Sequence, residues 1–381
     1  MKYTVLGVNF FNKGAELMLC AVKQQVREWD ENNILAAPIG MASFKDRKSA
    51  GLKHVFCKSK KPELLKEKLA LGVGNFIPKK IRYQNDLILE SEVDVFLDAS
   101  GFVFGDQWGV AKTRKMLELC THWKRQGKKI ILLPQAFGPF TDKETRTEFI
   151  KLINCIDLAF ARDAQSYEYI AQLDVPLERI KIAPDFTNLV KPEEPDYINE
   201  LAGRPCIIPN QKMIDKTSSE VSRYYVSFLE TTIKYLADKN LKPFVLLHET
   251  YDLQIGNLLQ DKLQIKDLVV KENNPLYLKG IINKCSFTIG SRFHGLISAL
   301  SQGIPSMGTG WSHKYQKLFQ DYECSEMLVD VNNEEKYLEK LDLLIDENIR
   351  TERSAKLLAV SNRQKELSRQ MWAEVKNTIY C

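Results

Sequence analysis

Ile289-Gly-Ser-Arg-Phe-His-Gly-Leu-Ile-Ser-Ala-Leu-Ser-Gln-Gly-Ile-Pro-Ser306 is the stretch whose reading decides the fold. Just before it, Ser286-Phe-Thr-Ile289 is a short apolar, β-branched run of the kind that forms a buried strand. Gly290-Ser291 breaks the strand, and Arg292, Phe293 and His294 follow at once. From Leu296 the spacing of Leu296, Ile297, Ala299 and Leu300 is helical, and Gly303 stands where a left-handed helix cap is needed. Ile304-Pro-Ser-Met307 restarts an extended segment. Arg292 and His294 therefore fall at the carboxyl end of a strand and the amino end of a helix. In open α/β sheets that edge binds ligands. A helix amino terminus offers free N–H groups and a partial positive charge, which favour an anion. Arginine adds a bidentate donor for phosphate or carboxylate, and histidine a proton exchangeable near neutral pH. Either residue alone also fits a locally paired arginine or a core histidine; both at one strand-to-helix turn point to a site.

The same strand-and-helix alternation runs outward in both directions. In the first half, strands are expected at 2–8, 33–39, 93–98, 129–134, 157–161 and 180–183. Helices are expected at 15–29, 108–125, 143–154 and 164–173, and residues 40–92 are less regular. Asn9, Asp98, Gln135, Arg162 and Asp185 all fall at the carboxyl ends of these strands. The turn after the first strand carries Asn12 and Gly14 but lacks the GxGxxG of a dinucleotide site. Val190-Lys-Pro-Glu-Glu-Pro-Asp196, with two prolines and three acids, reads as a linker. Beyond it the rhythm resumes, with strands from Cys206, Pro243 and Leu268 and helices at 219–238, 252–263 and 276–283. His248 ends one of these strands, and after Ser312 the chain is mostly helical. Such alternation argues for parallel sheets covered on both faces. The expected architecture is α/β, two doubly wound Rossmann-like domains facing a cleft, as in GT-B glycosyltransferases. The expected division is 1–190, a linker at 191–203, and 204–381 with the C-terminal helices.

A chain of 381 residues, 44% hydrophobic and 27% charged, suits two soluble globular domains. No run approaches the ~18 apolar residues of a membrane span, and the start lacks a signal peptide's apolar core. None of the eight cysteines forms a CxxC pair, so no metal is expected, and a reducing cytoplasm is. Between residues 53 and 82, nine Lys or Arg face two Glu, a local +7 within a chain of net +5. A single local basic segment, without a broad basic surface, argues against nucleic acid. Leucines, Val73, Phe76 and Ile77 are interleaved among these lysines, a pattern that fits peripheral contact with an anionic membrane surface. It also fits a helix packed on the first domain, the usual orientation of an amphipathic helix.

Several blocks together resemble the polysaccharide pyruvyl transferase family. They are Asn12-Lys-Gly-Ala-Glu16, the stretch 94–105, Pro134-Gln-Ala-Phe-Gly-Pro139, Phe160-Ala-Arg-Asp163, and Gly290-Ser-Arg-Phe-His-Gly-Leu-Ile-Ser-Ala299 with Gly303-Ile-Pro305. Where many members carry three glycines, this chain has Ala99-Ser100-Gly101. The resemblance implies a GT-B-like fold and transfer of the enolpyruvyl unit of phosphoenolpyruvate onto a sugar, forming a pyruvate ketal. It implies that Arg292 and His294 bind the donor, with Arg162 as a second basic contact. Ketal formation needs a proton on the terminal enol carbon, for which His294 is the expected acid, and a carboxylate to assist the hydroxyl, for which Asp98 is expected and Asp185 is the weaker candidate. Substrate contacts are further expected from Ser291, Phe293, Asn12, Gly14, Ser100, Gln135, His248, His313 and Lys314. No cofactor is expected beyond phosphoenolpyruvate as donor substrate; the expected acceptor is a sugar or lipid-linked oligosaccharide, and the protein is expected in the cytoplasm, with the basic segment as its contact to the inner face of the membrane. Two other functions fit the same fold: a glycosyltransferase using a nucleotide sugar, and a non-catalytic glycan-binding protein.

Overall fold

A computed structural model describes residues 1–38, 41, 43–56 and 77–380. The chain forms two compact units. Met1–Phe10, Met18–Phe186 and the segment from Ser368 onward make the first, and Phe11–Leu17 with Thr187–Leu367 make the second.

The first unit is built on strands β1 (Lys2–Leu6), β2 (Ile34–Pro38), β3 (Lys53–Phe56), β4 (Leu87–Leu89), β5 (Val95–Asp98), β6 (Lys129–Gln135), β7 (Leu158–Ala161) and β8 (Ile180–Ile182). They form one sheet in the order β4-β3-β2-β1-β5-β6-β7-β8, with every pairing parallel. All four residues of β5 and of β7 are buried, as expected of strands covered on both faces. The crossovers carry helices α1 (Lys13–Trp29), α2 (Phe44–Ser49), α3 (Lys79–Gln84), α4 (Val110–Lys124), α5 (Lys143–Cys155) and α6 (Ala164–Ala171). Asp142 and Asp163 start α5 and α6 by accepting from Thr145 N at 2.7 Å and Ser166 N at 2.8 Å. On one sheet face Phe96 stacks on Trp123 with ring centroids 3.7 Å apart, and Ile130, Leu132 and Phe149 pack around them.

Residues 40–92 are more regular than their sequence suggests. β3 and β4 extend the sheet there, and Leu52, Val55 and Ile88 are fully buried. β3 was not expected because His54 interrupts its apolar pattern; the ring is buried and accepts from Arg47 Nε at 2.7 Å. The expected basic amphipathic helix at 63–73 lies outside the described residues. At the described margins of that segment, Lys53 pairs with Asp86 and Arg82 with Glu92, while Lys79 lies over the Tyr83 ring at 5.3 Å. Among the described residues no helix is long and apolar enough to cross a membrane.

The second unit has strands β9 (Cys206–Ile208), β10 (Phe244–Leu247), β11 (Val269–Lys271), β12 (Thr288–Gly290) and β13 (Ser306–Gly308), in the order β11-β10-β9-β12-β13 and all parallel. The two-residue strand period sorts its core. Ile207, Val245, Leu247, Ile289 and Met307 share one apolar cluster, and Cys206, Ile208, Phe244 and Leu246 the other. Its helices are α7 (Lys212–Asp215), α8 (Ser219–Asp238), α9 (Leu253–Leu263), α10 (Pro275–Asn283), α11 (Phe293–Leu300), α12 (His313–Asp321), α13 (Glu334–Ile345) and α14 (Glu347–Tyr380). Gly303 follows α11 at φ +76°, the conformation its expected capping role requires.

The division differs from the expected one at both ends of the second unit. Residues 191–203 are docked onto it: Glu193 N donates to Leu276 O at 3.2 Å, and Ile198 and Leu201 join the core. The apolar side chains override the linker-like prolines and acids before them. At the other end, α14 belongs to the second unit only to Leu367. From Ser368 it is part of the first, where Trp372 meets Trp29 edge-on at 5.8 Å and Phe186 at 5.6 Å, and Tyr380 meets Tyr3.

Candidate functional site

A parallel sheet binds ligands where its strand order reverses. In the second unit β9 lies between β10 and β12, so the reversal opens between the segments that leave β9 and β12. Those segments are Asn210-Gln211 and Ser291-Arg292. The motif that marked the chain therefore stands at the position topology favours. Arg292 caps α11 with extended backbone at φ −102° and ψ 119°, and His294 lies in the helix's first turn.

Arg292 is buried and its fork is occupied. Nε donates to Asp252 Oδ2 at 2.9 Å, Nη2 meets Asp252 Oδ1, and Nη1 lies 2.7 Å from Glu249 Oε2. Asp252 is fully buried and also accepts from Gln211 N at 3.0 Å and Glu249 N at 3.1 Å. Its four acceptor directions are thereby used. Burial pulls the guanidinium pKa down, but Asp252 and Glu249 outweigh it and hold it above its ordinary value. Burial raises the Asp252 carboxyl, opposed by Arg292 and the Gln211 N–H.

A second network sets the start of the turn. Asn210 Nδ2 donates to Ser291 O at 2.6 Å, and Tyr315 Oη donates to the same carbonyl at 2.8 Å. Tyr225 Oη meets Ser291 Oγ and accepts from Asn210 N at 2.9 Å. Ser291, expected to touch substrate, is thus engaged inside the protein. So is Phe293, which lies in the core cluster edge-on to Tyr315 at 5.9 Å. Lys314 Nζ sits over three rings, 5.0 Å from Trp311, 5.1 Å from Phe293 and 5.5 Å from Tyr315. His313 begins α12, and its side chain lies outside the described residues.

His248 completes the cluster. It is buried at the end of β10, and its Nε2 has no hydrogen-bond partner. Burial, with the Arg292 and His294 charges, lowers its pKa to about 3, so the ring is neutral at physiological pH. The segment 11–17 also packs here. Asn12 forms an antiparallel bridge with Glu249, and its Oδ1 accepts from Gly14 N at 2.9 Å. A Cβ on Gly14 would lie 2.2 Å from His294 Nδ1, so the motif's glycine makes room for the imidazole.

In the first unit, sheet reversal falls between β1 and β5. Asp98 ends β5, buried, accepting from Ser100 Oγ at 2.6 Å and Gln135 Nε2 at 2.9 Å. Burial raises its pKa against these two hydrogen bonds. A Cβ on Gly7 would lie 2.0 Å from Ser100 Oγ, so the β1 and β5 turns are in close contact. Arg162 and Asp185, both buried, face each other at 3.4 Å between Nη1 and Oδ2. Among the described residues no cluster of His, Cys, Asp or Glu is arranged as a metal site.

Sequence reasoning missed Asp252, Glu249, Asn210, Tyr225 and Tyr315. All but Tyr315 lie at least 40 residues from Arg292, and no local pattern ties them to it.

The parallel sheets and their reversal points define a GT-B-like α/β fold. At 11% identity the chain is similar to the UDP-N-acetylglucosamine 2-epimerase from Rickettsia bellii, with a TM-score of 0.57 over 99% of this chain and 96% of that one. It is similar at 10% identity to Anabaena Alr3699/HepE in complex with UDP and glucose, with a TM-score of 0.57 over 99% and 100% of the two chains. These likenesses carry the fold alone. The model of the polysaccharide pyruvyl transferase family matches residues 12–313, and the chain belongs to that family. A curated relative, the amylovoran biosynthesis protein AmsJ of Erwinia amylovora, is 20% identical over 279 residues, covering 68% of this chain and 66%, just under two thirds, of the relative.

Proposed function

We propose that this protein transfers the enolpyruvyl unit of phosphoenolpyruvate to a sugar of a cell-surface polysaccharide or its lipid-linked precursor and closes a pyruvate ketal. The observation that carries the reading is the family's Arg292-Phe-His294 block standing at the sheet reversal of the second unit. The α11 amino terminus supplies N–H groups for an anion, Arg292 a guanidinium, and His248 an unused buried nitrogen.

In this reading His294 delivers a proton to the methylene carbon of the donor. The adjacent carbon becomes oxocarbenium-like, and a first sugar hydroxyl adds to it. A second hydroxyl then replaces the departing phosphate, so both ketal oxygens come from the acceptor and the hydroxyl protons pass to base. Asp98, with its raised pKa, is the proposed base. The AmsJ similarity supports a polysaccharide setting.

The test is incubation with phosphoenolpyruvate and candidate oligosaccharides. A pyruvate ketal adds about 70 Da to the acceptor and releases phosphate, the mass of pyruvic acid less one water. Stabilisation against heat by UDP-sugars but not by phosphoenolpyruvate would instead favour a nucleotide-sugar transferase. Donor binding without turnover on any acceptor would favour a glycan-binding protein.

A further inference from the structure

We propose that Glu249 occupies the place of the donor's carboxylate on Arg292, and that the donor binds by displacing it. The inference rests on the reading of this cluster as the donor site. As built, one guanidinium faces two carboxylates, and the buried His248 adjoining them is neutral. A donor carboxylate would find that guanidinium's nitrogens already occupied on both sides. One of the two resident carboxylates must give way.

They are not equivalent. Asp252 is fully buried and accepts from two Arg292 nitrogens and two backbone N–H groups. Moving it would strand four donors, each costing on the order of a lost hydrogen bond. Glu249 meets the outer nitrogen, Nη1, and its side chain keeps about 10% of its surface open to solvent. Its backbone is held independently, by the bridge to Asn12 and by its N–H to Asp252. The side chain can therefore swing out on its own torsions while the strand end stays in place. What it vacates is one edge of a guanidinium already oriented toward a planar carboxylate. His248, adjacent in sequence and unpartnered at Nε2, stands ready for the incoming group. A phosphate is left to the N–H groups of α11.

The test is calorimetric titration of the full chain, as wild type, Glu249→Ala and Glu249→Gln, with pyruvate, inorganic phosphate and phosphoenolpyruvate. Pyruvate and phosphoenolpyruvate should bind roughly ten- to hundredfold more tightly to both variants, the scale of one charged hydrogen bond. Phosphate affinity should be unchanged. Thermal melts check that each variant is folded, and Glu249→Gln, nearly isosteric, covers a failure of the alanine variant. Unchanged or weaker pyruvate binding in folded variants overturns the proposal, as does tightening for phosphate alone or no binding of either carboxylate. Tightening without ketal formation sinks only the enzymatic reading; ketal formation without tightening sinks only the displacement.

Discussion

Asp252 holds Arg292 through both Nε and Nη2, which changes the first expectation for this arginine. The sequence presents Arg292 as a free donor contact; the structure presents it as the centre of a buried ion cluster. Removing it leaves two buried carboxylates uncompensated. Arg292→Ala should therefore lower unfolding stability by about 3–5 kcal/mol. Chemical denaturation measures the loss. In the double variant with Asp252→Asn the two losses should be well short of additive, because the more deeply buried of the two stranded carboxylates is then neutral. A wild-type denaturation midpoint in Arg292→Ala would contradict the buried role.

His294→Gln should preserve donor affinity while turnover falls about 10²–10⁴-fold, the usual contribution of a general acid. Steady-state rates with a competent acceptor, set beside calorimetric affinity, separate the two effects. Near wild-type turnover would mean that another group delivers the proton.

His248 should make the protein acid-sensitive before its carboxylates titrate. Its folded pKa, about 3, lies below the ordinary value of 6.5. The stability it contributes is present above pH 6.5 and is lost as pH falls from there toward 3. The unfolded chain takes up a proton in that window and the folded one does not. The slope is about 1.4 kcal/mol per pH unit. Denaturation midpoints measured from pH 7 to 4 should flatten in His248→Gln. An equally steep profile in that variant would place the acid sensitivity elsewhere.

These predictions fall where the sequence was least legible. The Arg292-Phe-His294 turn could be read because strand, break and helix lie within fifteen residues and each has its own periodicity. The carboxylates that define the arginine's role could not, because Glu249-Thr-Tyr-Asp252 looks like an ordinary helix start. Only pairing of β9 with both β10 and β12 brings the two turns to one sheet edge. Adjacency to Arg292 suggests substrate contact for Ser291 and Phe293, yet successive positions at a strand end point to opposite sides, and these two share the side that faces the core, Phe293 in its apolar cluster and Ser291 against Tyr225. Strand β3 went unseen because a buried histidine paired with a buried arginine has no apolar signature.

Asp98→Asn is expected to cost activity and gain stability. Burial raises the folded pKa of Asp98, so the folded state holds its proton to higher pH than the unfolded chain does. The resulting destabilisation begins as pH rises past the ordinary 3.8 and is complete above the folded pKa. Asparagine removes the buried charge yet can still accept from Gln135 and donate to Ser100. The melting temperature at pH 7 should rise, and turnover should fall by at least about 10²-fold if Asp98 assists the hydroxyl. Lower stability with full turnover would make Asp98 a loop anchor alone.

Gly14→Ala tests whether the segment carrying Asn12 and Gly14 fixes the His294 imidazole, the acid of the proposed reaction. Within a helix, replacing glycine by alanine ordinarily stabilises by about 0.5–1 kcal/mol. Here the added Cβ would lie 2.2 Å from His294 Nδ1, 2.7 Å from Cγ and 3.0 Å from Cβ. Turning the ring about its first torsion relieves the first two contacts but not the third, so the imidazole must leave its position. The clash should outweigh the helical preference, and turnover should fall toward the level of His294→Gln. Overall folding should survive, because once the ring has turned the remaining 3.0 Å contact asks only for a small backbone shift. The decisive measurement is the double variant. If Gly14 acts through His294, adding Gly14→Ala to His294→Gln should cost almost nothing further in turnover. Independent, additive losses would mean that Gly14 matters for α1 or for another contact, and full turnover in Gly14→Ala would mean that the imidazole works from a different position.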